Sequence, residues 1–162
     1  MTQFVVRPAR ADDARAMAEI FAAVAEERDG IATEPPVDIE ERAALFARSA
    51  DQSLVAVADG QIVGMLHVEV SRHGFGEVGM LVDRGWRGRG VGLALVQAAI
   101  GWARGQRLHK LCLDVFAHNT AAIALYRKSG FVEEGRRAQH YRRANGELWD
   151  AVVMGLLLRR PP

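Results

Sequence analysis

The chain has 162 residues, 49% of them apolar, so its length suits one domain (1–162) and its composition allows a real core. With 21 Lys and Arg against 20 Asp and Glu, the formal net charge of +1 argues against an obligate nucleic-acid or anionic-membrane binder. The one cysteine, Cys112, excludes an intramolecular disulfide. No apolar run reaches transmembrane length and no signal-peptide core follows Met1, so a soluble protein of the reducing cytoplasm is expected.

In chain order, residues 3–7 read as a strand ended by Pro8. Asp12 and Asp13 supply cap and dipole complement for a first helix. There Met17, Ile20, Phe21 and Val24 sit at offsets 0, 3, 4 and 7 and share a face. That helix ends near Asp29-Gly30. The loop Ile31-Ala-Thr-Glu-Pro-Pro cannot continue it, and Asp38 with Glu41 resembles a capping box for a second helix over 39–49. Asp59-Gly60 predicts a type I′ hairpin between Leu54–Ala58 and Ile62–Val70. His67 and Glu69 share a face two residues apart, poor metal spacing without further ligands, so His67 is read as a non-ligand, and 71–76 reads as a turn. A strand over 78–82 leads through a glycine-rich turn into an apolar helix that stops at Gly105. Strand 111–116 follows, then a helix with Asn119 or Thr120 as cap and Gly130 as its C′ residue. Another strand starts at Phe131-Val132. Asn145-Gly146 marks a second hairpin, between 139–143 and 148–158.

The turn at Arg87-Gly88-Arg89-Gly90-Val91-Gly92 offers unpaired backbone N–H groups at the positive end of a helix, a setting suited to phosphate. Arg87 and Arg89 add charge, and the glycines let a ligand approach the backbone. A dinucleotide fingerprint started at Gly88 puts its third glycine on Leu93 and fails. The Gly-Lys-Ser/Thr of nucleoside-triphosphate loops is absent. What fits is Arg-x-x-Gly-x-Gly, although a plain tight turn would also use these glycines. Downstream, Asn119 and Tyr126 are seven residues apart and share one helical face two turns apart, with Ala122 between them. Alone, this pair reads more simply as an N-cap asparagine and a core tyrosine.

Taken together, Arg87–Gly92 and the run from Leu113 through Asn119, Ala122 and Tyr126 to Phe131 closely resemble the two motifs of the GCN5-related N-acetyltransferases. Asn145-Gly-Glu-Leu-Trp-Asp resembles the hairpin that closes many such domains. The resemblance covers most of 50–158. It implies an α/β fold with a mixed, twisted sheet, flanked by helices on both faces. That sheet splays between its fourth and fifth strands, with acetyl-CoA in the gap. It further implies direct acetyl transfer to a primary amine of a small molecule, amino acid or protein N-terminus. It implies no metal, and a homodimer is common for such domains.

On that resemblance, the backbone of Met80, Leu81 and Val82 aligns pantetheine. Arg87, Gly88, Arg89, Gly90, Val91 and Gly92 hold the pyrophosphate. Asn119 and Ala122 line the pantetheine arm, and Arg127 approaches the 3′-phosphate. Tyr126 is the general acid for the leaving thiolate, or only positions the sulfur. For the base, Glu77 at the head of the fourth strand and Asp114 on the fifth both stay open, with water as a third route. The family's acceptor pocket draws on the first helix and following loop, which makes Glu27, Thr33 and Glu34 substrate candidates. A catalytically silent acyl-CoA-binding or sensing domain on the same fold is the alternative.

Overall fold

The computed structural model describes residues 3–158; Met1, Thr2 and the closing Arg-Arg-Pro-Pro lie outside them. Strands β1 (Val5–Pro8), β2 (Ser53–Ala58), β3 (Gln61–Val70), β4 (Phe75–Val82), β5 (Lys110–Phe116), β6 (Val132–Arg142) and β7 (Leu148–Leu157) form one open sheet. Their order in it is β1-β2-β3-β4-β5-β7-β6. Helices α1 (Ala14–Glu26), α2 (Ile39–Arg48), α3 (Val91–Gly105) and α4 (Thr120–Lys128) flank it. Pairing is antiparallel for β1–β2, β2–β3, β5–β7 and β6–β7 and parallel for β4–β5, the mixed α/β sheet expected.

Contacts divide the chain into two units, one made of the chain up to Val68 plus Gly79–Ala99, the other of Glu69–Val78 plus the chain from Ile100. In the first, α1 buries Met17, Ala18, Ile20 and Val24 with Phe46 of α2 against Val55, Met65 and Leu81. The apolar offsets read from the sequence are therefore the buried face. Phe21 and Phe46 meet edge to face at 5.8 Å, a geometry aromatic pairs favour. The β2–β3 turn has positive φ at both central residues, Asp59 (49°) and Gly60 (74°), which the type I′ geometry requires. Gly64, opposite Ala56 in β3, lies on the other face from Val55 and Met65. A Cβ there would stand 3.0 Å from Val91 and 3.1 Å from Leu95, so glycine lets the start of α3 lie close on the strand.

In the second unit, Leu111, Leu113 and Val115 of β5 are buried, while Cys112 and Asp114 point to the other, more exposed face. Helix α4 ends as expected. Gly130 is left-handed (φ 99°), its N–H donates to Arg127 O and the Phe131 N–H to Tyr126 O, both at 3.0 Å. This is a Schellman motif. Phe131 is then buried against Tyr126.

Three elements differ from expectation. Strand β4 starts at Phe75, because Phe75, Gly76 and Glu77 pair with Lys110, Leu111 and Cys112; the turn before it closes over Ser71–Gly74. A single 3-10 turn, Ala11–Asp13, precedes α1, and Asp13 bonds the Arg10 N–H at 2.7 Å there rather than capping α1 itself. Asp38 does cap α2 by accepting from Glu41 N–H at 3.0 Å. Strand β6 is continuous instead of two pieces. Register shifts at Glu133/Gly135 and Arg137/Tyr141 absorb the extra residues, and Gln139 takes φ 50°.

Candidate functional site

The glycine loop is held at its root. Asp83 N–H donates to Val63 O at 2.9 Å, and the Asp83 carboxylate accepts the Gly85 N–H at 3.0 Å, opening a 3-10 turn over Arg84–Trp86. Gly88 (φ 72°) and Gly90 (φ 87°) are left-handed, a conformation that carries little penalty only without a Cβ. A Cβ at either would meet no protein atom within 4 Å, so this side of the loop is open to a ligand. The first helical bond closes from Ala94 N–H to Gly90 O at 3.0 Å, leaving the amides of Val91, Gly92 and Leu93 without intrahelical acceptors. Arg89 lies over the Trp86 ring at 4.9 Å, keeping its charge at the loop. The residues present therefore fit a pyrophosphate: a cradle of open backbone donors at the positive end of a 15-residue helix, with guanidinium charge beside it.

Arg87 is engaged by the protein itself. Its Nη1 and Nη2 donate to the two carboxylate oxygens of Glu27 at 2.7 and 2.8 Å, and its Nε donates to Val82 O at 3.0 Å. The hydrogen bond to Arg87, the largest influence, holds the Glu27 carboxyl below the usual range, and the same bond raises the guanidinium further. The pair is ionised at any working pH. Of the other residues expected here, Leu81 is buried in the core, and Met80 and Val82 are half-buried. Thr33 and Glu34 are half-buried in the loop after α1, where Glu34 stands 3.6 Å from Arg28.

The second group of residues lies on β5, α4 and β6. Asn119 caps α4, its Oδ1 accepting from Ala122 N–H at 3.2 Å; the side-chain NH2 keeps its donors. One helical face brings Asn119, Ala122 and Tyr126 into line as the spacing required. Tyr126 is 6% exposed, its ring 5.6 Å from that of Phe131, and burial pushes its hydroxyl up to about 12. Arg127 is exposed and 3.4 Å from Glu133.

The two base candidates separate. Asp114 lies 3.3 Å from Arg137 Nε and 3.5 Å from the Tyr141 hydroxyl, so its charge is already partnered. Glu77, paired in register with Cys112, is exposed and makes no ion pair or side-chain hydrogen bond among the described residues. Cys112 donates to Gly76 O at 3.6 Å; burial raises its thiol, and the charge of Glu77 adds to that.

Arg137 and Tyr141 were not singled out from the sequence. They come together because four residues of β6 span two of β7, Arg137 opposite Ala151 and Tyr141 opposite Trp149. No periodic pattern announces such an irregularity. Burial raises the Tyr141 hydroxyl, and Asp114 adds to the effect. His67 faces Ser53, Nδ1 to Oγ at 2.9 Å. Among the described residues, no group of His, Cys, Asp and Glu has metal-binding geometry, and no helix is long and apolar enough to cross a membrane.

Comparison with known proteins points the same way. Residues 15–131 match the sequence profile of the Acetyltransferase (GNAT) family. The L-amino acid N-acetyltransferase AaaT of Escherichia coli is 33% identical over 162 residues, covering 95% of this chain and 98% of that protein. An L-methionine sulfoximine/L-methionine sulfone acetyltransferase of Pseudomonas aeruginosa is 36% identical over 115 residues, 65% of this chain and 67% of that one. In three dimensions the chain resembles a phosphinothricin acetyltransferase from Sinorhizobium meliloti, solved in complex with acetyl-CoA. The TM-score is 0.87 at 22% identity, covering 100% of this chain and 94% of the other.

Proposed function

The chain belongs to the Acetyltransferase (GNAT) family and is an acetyl-CoA-dependent N-acetyltransferase; from that premise we propose that its acceptor is the α-amine of a free amino acid or close analogue. The observation that carries the acceptor class is the end-to-end similarity to an L-amino acid N-acetyltransferase. The shorter match to an enzyme for methionine analogues supports it.

When bound, acetyl-CoA supplies an activated thioester. Its pyrophosphate is assigned to the amides of residues 88–93 with Arg89 nearby, its pantetheine arm to the backbone of Met80–Val82 and the Asn119 side-chain amide. Arg127 is assigned to the 3′-phosphate side. The chain's own chemistry has two parts. The acceptor amine must lose a proton, and the departing sulfur must be stabilised.

For the first part the better base is Glu77, acting directly or through one water. A carboxylate already paired with a guanidinium is the weaker proton acceptor, and that describes Asp114. Tyr126 serves the second. With its pKa near 12 it keeps its proton at every working pH. Burial thus holds the hydroxyl well above the roughly 8.5 of an ordinary thiol, which disfavours full transfer to the thiolate. Tyr126 therefore acts mainly as a hydrogen-bond donor to the sulfur as charge builds there.

A thiol-release assay with acetyl-CoA and a panel of acceptors tests this reading. Free L-amino acids are expected to turn over, and their N-blocked forms not at all. Turnover confined to polyamines, aminoglycosides or peptide N-termini would overturn the acceptor class.

A further inference from the structure

We propose that Glu27 is a positioning residue for the phosphate loop, clamping Arg87 so that the loop backbone is preset for the pyrophosphate, rather than a group that holds the acceptor amine. The inference rests on the acetyl-CoA reading of that loop.

Three observations carry it. First, the contact is a two-pronged one between residues 60 apart in the chain, with both carboxylate oxygens and both terminal nitrogens of Arg87 engaged. This fork geometry is the stronger and more directional form of ion pair. Second, Glu27 is the C-cap residue of α1 (φ −69°, ψ −20°), at the negative end of a 13-residue helix. A carboxylate there is disfavoured by the helix dipole, so α1 itself gains nothing from it. Its presence is accounted for by its partner. Third, Arg87 is anchored at both ends of the loop's entry. Its Nε bonds the last residue of β4, Val82, and its backbone leads directly into left-handed Gly88. Three of its five N–H donors are thus committed to the protein. The side chain fixes where the β4 end stands relative to α1, and the amides beyond it do the binding.

The role carries a consequence opposite in sign to a direct phosphate contact. Were Arg87 the phosphate ligand and Glu27 merely a competitor for it, neutralising Glu27 would release the guanidinium and tighten coenzyme A. If Glu27 clamps the loop, the same change loosens it. If Glu27 grips the acceptor's ammonium, only acceptor binding suffers.

The experiment measures the Kd of coenzyme A alone by calorimetry, with no acceptor present, in wild type, Glu27→Gln and Arg87→Lys, alongside KM and kcat for an acceptor found in the amine panel. Arg87→Lys keeps the charge but cannot bond Glu27 twice and Val82 at once. The expected result is a Kd raised about tenfold in both variants, with acceptor KM and kcat at saturating acetyl-CoA within about twofold of wild type. Thermal unfolding checks that both variants are folded; if Glu27→Gln is not, Glu27→Ala takes its place, because only a change at Glu27 separates the clamp from a direct phosphate contact. An unchanged or lower Kd overturns the clamp, and so does a raised acceptor KM at unchanged Kd. Wild-type protein that fails to bind coenzyme A would instead sink the reading on which the clamp depends.

Discussion

On the proposed reading, the loop before α3 binds with backbone groups, whereas the face built by β5, α4 and β6 acts through side chains. At the loop, the donors are amides that every residue possesses. The side chains serve to shape them: glycine at two left-handed positions, Asp83 bonding Gly85, Arg87 gripping Glu27. On the other face the backbone is ordinary sheet and helix, and the proposed chemistry depends on which side chains meet: Tyr126 buried on Phe131, Asp114 beside Arg137 and Tyr141, Glu77 without a side-chain partner among the described residues. Backbone binding tolerates many neighbours but no obstruction. Side-chain chemistry tolerates altered backbone but no altered functional group. Affinity for the donor and the rate of the chemical step should therefore break separately.

The largest effect is expected from Gly90→Asp. It forces a side chain into φ 87° and places a carboxylate in the open space proposed for phosphate. Calorimetry should show coenzyme A affinity lost by more than about 100-fold, while circular dichroism stays native. Retained affinity would move the phosphate site elsewhere. Next comes Tyr126→Phe, which removes one hydroxyl and keeps the packing. We expect kcat to drop about 100-fold with coenzyme A Kd within about threefold. An unchanged kcat removes Tyr126 from the chemistry.

Smaller, and more discriminating, is the pair Glu77→Gln and Asp114→Asn. With Glu77 as base, its variant should lose about 30-fold in kcat/KM and flatten the acid limb of the pH–rate profile. Asp114→Asn, which loses a partner of Arg137, should lose only a few-fold. The reverse ranking would reinstate Asp114.

The smallest effect is a control outside both regions. Asp13 accepts Arg7 at 2.7 and 2.9 Å and the Arg10 N–H at 2.7 Å, and its carboxyl lies below the ordinary value, first because of the Arg7 bond. Its contribution is complete above an unfolded pKa of about 3.9 and disappears as pH falls through the lowered folded value. Asp13→Asn should therefore cost about 1–2 kcal/mol at pH 7, read as a lower Tm, with the difference from wild type shrinking below about pH 4. Coenzyme A affinity should not move. A Tm difference that persists undiminished at pH 2 would contradict the ionic account.

Both motifs were legible in the sequence for a physical reason: their geometry is local. Gly88 and Gly90 announce left-handed backbone, seven-residue spacing returns Asn119 and Tyr126 to one helical face, and Asp59-Gly60 announces a primed turn, because each depends on a few consecutive dihedrals. The fold class followed from the alternation of such elements and from the family resemblance. The start of β4 was misread by three residues because parallel pairing with β5, which is not local, made Phe75–Glu77 a strand.

What only the tertiary structure decided is which charges find each other. No spacing relates Glu27 to Arg87 across 60 residues, and no period places Arg137 and Tyr141 on Asp114 through an irregular β6. Those contacts pair Glu27, a candidate for the substrate, with Arg87, and Asp114, one of two candidate bases, with Arg137. Local dihedral preference wrote the loop and the helix into the sequence. Long-range packing chose the partners, because an ion pair depends on a distance that the chain order does not contain.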